Sequence, residues 1–188
     1  MSPDGKRVAF VLYYENSSQI MTANIDGTHL KELTSGQSYN WTPSWSPDGK
    51  QILFETTRNE TPATSGGGGH RDIYLMDADG QNQTNLTKNS YGHHPALSPD
   101  GKHIACMNRG AIYTMNRDGS GKKNVSQGKV RDSEPAWSPD GQWIAFTRTP
   151  KDSNAMDIWI MKPDGAQQRQ LTFNKDGECS YSPSWSKE

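Results

Sequence analysis

The tetrapeptide Ser-Pro-Asp-Gly stands at Ser2, Ser46, Ser98 and Ser138, and a fifth start, Pro183-Ser184-Trp185-Ser186, appears near the C-terminus. Successive serines are separated by 44, 52, 40 and 48 residues. Self-similarity at a period of forty-odd residues marks a repeat architecture, in which one supersecondary unit buries its apolar face only by stacking on the next. That constraint outranks any element-by-element propensity.

Each copy supplies four short segments. The second gives Thr42-Pro43-Ser44-Trp45, the run Gln51 to Thr56, a long insert, Asp72 to Met76, the turn Asp77-Ala78-Asp79-Gly80, and Leu86-Thr87. In the first copy the run Arg7 to Tyr13 puts Val8 and Phe10 on one face and Ala9 and Val11 on the other. Both faces are apolar, as expected of a strand whose sheet is stacked between two others. The Pro-Asp-Gly turns have a local cause: Pro presets φ, Asp bonds its own backbone, and Gly takes the φ > 0 position. The expected fold class is therefore all-β, a β-propeller of four four-stranded antiparallel blades over residues 1–188 as one domain. The tail strand 182–186 is expected to complete the first blade, which lacks its innermost strand. The alternatives are membership of a larger six- to eight-bladed ring, or a ring shared between chains.

Composition bears on that reading at one point. Leu, Ile, Val and Phe number only 25 in 188 residues, a level that would raise suspicion of disorder. Disorder also needs a large net charge, and here it is -1, while six Trp, seven Tyr and seven Met supply large buried areas. The same near-neutral balance disfavours nucleic acid and anionic membrane surfaces as partners. No apolar run is long enough for membrane insertion, and the first residues lack the pattern of a signal peptide. Cys106 falls where other copies carry Phe10, Phe54 and Phe146, so it reads as a core residue, whereas Cys179 lies in a loop.

Spacing locates the functional side. From the opening Pro to the first turn Gly the interval is six residues in three copies, and from the second turn Gly to the last apolar residue it is six in all four. The other two connections vary, by 18 to 31 residues between the two turn glycines of a copy and by 9 to 12 residues between copies. In an up-and-down blade alternate connections emerge on the same side, so the variable loops share one face, where binding is usually carried. Residues just before each opening Pro should rim the central channel there: Trp41 and Thr42, His93 and His94, Asp132, Ser133 and Glu134, and Tyr181 with Ser182. His70, in the glycine-rich insert between Arg58 and Arg71, belongs to the same face. Arg58 with Asp72, and Arg148 with Asp157, read as ion pairs at hairpin ends. Two histidines and a carboxylate near one axis raise the question of a metal. Adjacent His93 and His94 point to opposite sides of a regular strand, however, and polar lining without a metal or other cofactor is the expectation.

The series P-x-W-S-P-D-G, I-A-F, D-I-Y-x-M-D-x-D-G and L-T resembles the WD-like repeats of TolB-type β-propellers over essentially the whole chain, with Gln19-Ile20-Met21 replacing D-I-Y in the first copy. The resemblance implies a propeller and a non-enzymatic role in binding a protein or peptide. It also implies a periplasmic or otherwise extracytoplasmic setting, and a monomer or a ring-sharing homo-oligomer. Two rival readings remain: a polyuronate-type carbohydrate-active enzyme using the His-containing rim, and the propeller domain of a prolyl-oligopeptidase-like peptidase. No Gly-x-Ser-x-Gly nucleophile motif occurs in the sequence.

Overall fold

The computed structural model describes residues 1–59, 71–88, 92–127 and 130–186. They fall into two compact units, 1–93 and 94–188. Among the described residues there are fifteen strands in four antiparallel sheets and no helix.

In the first unit β1 (Arg7–Tyr14), β2 (Ser17–Asn24) and β3 (Lys31–Glu32) form a three-stranded sheet, and β4 (Asn40–Trp45), β5 (Gln51–Thr56), β6 (Asp72–Asp77) and β7 (Thr84–Asn85) form a four-stranded one. The third sheet contains β8 (His93–Leu97), β9 (His103–Asn108), β10 (Ala111–Asn116) and β11 (Lys123–Asn124). The fourth contains β12 (Arg131–Trp137), β13 (Ile144–Thr149), β14 (Asp157–Met161) and β15 (Arg169–Gln170). Strands follow one another in sequence order within every sheet, as in the blades of a propeller.

The repeated turn is closed by its own side chains. The Ser2, Ser46 and Ser98 hydroxyls each donate to the Asp two residues on at 2.6 Å, and Ser138 does so at 2.5 Å. The same hydroxyls each accept the amide five residues on at 2.9 Å. The Leu-Thr motif has an equally specific function. Thr34, Thr87, Ser126 and Thr172 accept, through their hydroxyls, the amides of Ile20, Ile73, Ile112 and Ile158, continuing the ladder where the two-residue outer strand stops.

Burial follows the repeat. In the first unit Ile20, Leu33, Trp45, Ile52, Phe54, Tyr74 and Met76 form one cluster, with Ala9 and Val11 packed against it. In the second, Ala105, Ile112, Val125, Ile144, Phe146 and Met161 form another. Each of the larger apolar side chains among them contributes about 2 kcal/mol through removal from water. Cys106 is fully buried, as its place in the repeat predicts, and Cys179 is exposed. Backbone contact between neighbouring blades fixes two glycines. A Cβ on Gly80 would lie 2.9 Å from the Leu33 carbonyl oxygen, and one on Gly165 would lie 2.1 Å from that of Val125.

Within the first unit the sheet of β1 to β3 has three strands. In the second unit residues 182–186 are anchored on the fourth sheet. The Ser182 amide donates to Glu134 Oε2 at 2.7 Å and the Trp185 indole to the Ala136 carbonyl at 3.0 Å.

Candidate functional site

The residue before each blade-opening proline adopts the left-handed conformation, with φ of 49° at Thr42, 48° at His94, 54° at Glu134 and 53° at Ser182. None is glycine, and positive φ in ordinary residues concentrates at functional sites. In β4 and β12 the register also shifts here, between Trp41 and Ser44 and between Ser133 and Ala136. Such a bulge re-aims side chains. The strict alternation assumed for His93 and His94 in a regular strand is therefore interrupted at His94 itself.

In the first unit Trp41, Thr42 and His93 converge on a residue the sequence reading missed, Glu55. It is fully buried on β5, accepts the Thr42 hydroxyl at 2.8 Å and pairs with Arg71 at 3.1 Å. His93 Nδ1 lies 3.6 Å from the same carboxylate. The Arg71 guanidinium in turn covers the Trp41 ring at 4.0 Å, and Trp41 stacks on Tyr39 with centroids 5.5 Å apart and an 8° interplanar angle. A signal for Glu55 was present: other copies carry Val11, Met107 and Thr147 at this position, so a carboxylate there departs from the repeat. Its partner Arg71 had been grouped only with the glycine insert. His70 lies outside the described residues.

In the second unit the equivalent bond is made with the roles exchanged. Glu134, at the position of Thr42, accepts at Oε2 from the hydroxyl of Thr147, which stands at the position of Glu55, at 3.0 Å. Asp132 is fully buried, and Arg148 holds both its oxygens, at 2.7 and 2.9 Å. Ser133 and His94 are half-buried and Tyr181 is exposed.

The proposed hairpin-end ion pairs are replaced by a different arrangement. Arg148 pairs with Asp132, while Asp157 accepts from Thr172 and Gln170 at 2.9 Å each. Arg58 donates to Gln83 at 2.6 Å and covers Tyr74, and Asp72 accepts from Thr87 and Asn85. The Asp of D-I-Y is therefore the residue that orients the Leu-Thr hydroxyl. Gln19 performs this role in the first copy, accepting from Thr34 at 2.8 Å.

Repeated turns, ladder-capping hydroxyls and sequential four-stranded sheets are what a family comparison must account for, and the family described as the TolB beta propeller domain matches residues 1–188. The chain belongs to that family. A Tol-Pal system protein TolB from Anaeromyxobacter dehalogenans is 29% identical over 95% of this chain and 29% of its own length. The uncharacterized peptidase YuxL of Bacillus subtilis is 27% identical over 85% of the chain and 31% of its own. A solved structure described as TolB from Agrobacterium tumefaciens superposes with a TM-score of 0.81 at 26% identity, covering 99% of this chain and 68% of that one. The chain thus spans about a third of the length of those two curated relatives.

Proposed function

We propose that this TolB-family chain is a non-enzymatic module that binds a protein or peptide through the variable-loop side of its blades, its 188 residues acting as one domain. The observation that carries this reading is the Tyr39–Trp41–Arg71 stack held over buried Glu55. Trp, Tyr and Arg are the residue types enriched where binding energy concentrates, and a stack fixed from beneath loses little freedom when a partner docks. Thr42 and His93 complete that contact surface in the first unit. His94, Ser133, Glu134 and Tyr181 offer the corresponding one in the second, with Asp132 positioning it through Arg148. The similarity to proteins named for the Tol-Pal system supports a protein partner and an extracytoplasmic setting.

Capture from a periplasmic extract tests this. Trp41→Ala should lower retention of the captured protein at least tenfold while leaving the melting temperature nearly unchanged. An unchanged set of captured proteins would reject the stack as the contact. The relative named as a peptidase favours a second reading, the propeller part of a hydrolase. Peptide turnover by a longer form of the protein that is lost on Trp41→Ala would favour it over a pure binding role.

A further inference from the structure

The strand ends that carry the two fixed turns form a cleft in each unit. In the second unit it lies between the third and fourth blades, encloses about 680 Å³, and has Asp100, His103, Lys123, Trp137, Asp140 and Asp164 in its wall. In the first unit it lies between the two sheets, encloses about 380 Å³, and has Arg7, Lys31 and Asp79 in its wall. Arg7 and His103, Lys31 and Lys123, and Asp79 and Asp164 hold equivalent repeat positions, so one feature of the repeat occurs twice.

The two copies differ in what covers the tryptophan. In the first, the Arg7 guanidinium lies over the Trp45 ring, 4.5 Å from its centroid, and that ring is not part of the wall. In the second, the shorter His103 replaces the arginine, and Trp137, at the position of Trp45, is half-buried and lines the cavity. Its indole N–H donates to the Ala96 carbonyl at 3.1 Å, which fixes the ring in place. The face of an indole attracts a cation. With its own side chain, the first unit therefore displays the chemical group that this kind of cleft accepts.

Charge agrees with that reading. The carboxylates of Asp100, Asp140 and Asp164 outnumber the Lys123 ammonium in the wall. The Asp100 and Asp140 carboxyls lie below the usual range, first because the Ser98 and Ser138 hydroxyls donate to them, and both are ionised at neutral pH. In each, the bonds within the turn fall on Oδ1. A planar guanidinium with several N–H donors can engage Oδ2 while its face rests on the indole, which a compact ammonium cannot do as well. The volume lies within the roughly 300 to 1,000 Å³ of ordinary ligand pockets. All three aspartates are exposed, so a side chain can enter while its backbone stays outside.

We propose that the cleft between the third and fourth blades binds an arginine side chain presented by a peptide partner, its guanidinium stacked on Trp137 and countered by Asp100, Asp140 and Asp164. The site lies on the side of the fixed turns, apart from the variable-loop side, and stands independently of the contact proposed there.

Titration calorimetry with the peptide acetyl-Gly-Arg-Gly-amide tests it. The wild-type chain should show one saturable site, and the citrulline counterpart, of the same shape without the charge, should bind at least about tenfold more weakly. His103→Arg supplies the chain's own guanidinium at the position Arg7 holds in the first unit, and should weaken peptide binding by a similar factor. Absence of saturable binding, equal binding of the citrulline peptide, or undiminished binding to His103→Arg would each overturn the proposal. Free arginine binding more tightly than the peptide would overturn the peptide as occupant. Should His103→Arg fail to fold, Asp164→Asn, at an exposed turn position, must weaken the peptide in its place; unchanged binding there overturns the proposal as well.

Discussion

The serine of each repeat turn, a small side chain with a large share of the hydrogen bonding, links the turn to pH. The carboxyls of Asp4, Asp100 and Asp140 lie below the usual range, chiefly because the serine hydroxyl donates to them and next because the backbone amide two residues on does the same. A folded-state pKa below the unfolded value contributes stability that is present above pH ~4 and lost as pH falls through the folded value. Ser98→Ala should therefore cost about 1 kcal/mol at neutral pH, and the difference in urea midpoint from wild type should narrow as pH is lowered from ~4 towards 2. It should not vanish, since Ser98 also accepts the His103 amide, a bond without a charge. A gap that stays constant over this range would show that the carboxyl is not the group being stabilised.

Two glycines with the same backbone requirement differ at the level of the blade. Gly5 has φ of 72° with open space around its missing Cβ, and Gly165 has φ of 92° with the Val125 oxygen in the way. Gly5→Ala should cost only the left-handed penalty, about 1 kcal/mol, whereas Gly165→Ala should cost at least about 2 kcal/mol more because one blade must shift off the next. Chemical denaturation of the two variants measures the difference. The period, the two fixed turns and the core position of Cys106 were all legible in the sequence, because turn chemistry is local and the repeat fixes equivalent positions. The fate of the Asp72 and Asp157 carboxylates was not. Sequence proximity suggested Arg58 and Arg148, but strand pairing across the blade brings Thr87 and Thr172 closer and gives Arg148 to Asp132. Glu55 was missed for a related reason. A charge in the middle of a buried strand is tolerable only with partners from other strands, and those partners are a tertiary fact.

At the scale of the whole molecule, the repeat supplies a fifth motif start at Pro183-Ser184-Trp185-Ser186. The hydrogen bonds of Trp185 and Ser182 to the fourth blade were not legible in the sequence, because they join segments about fifty residues apart. The mirrored hydroxyl–carboxylate bond at Thr42–Glu55 and Glu134–Thr147 has a wider consequence. Because the same link survives with its two halves traded between strands, negative charge can migrate about the array while the scaffold stays intact. The double exchange Thr42→Glu with Glu55→Thr should accordingly recover most of the stability that either single change forfeits, leaving blades of this kind free to diversify what they recognise without relearning how to fold.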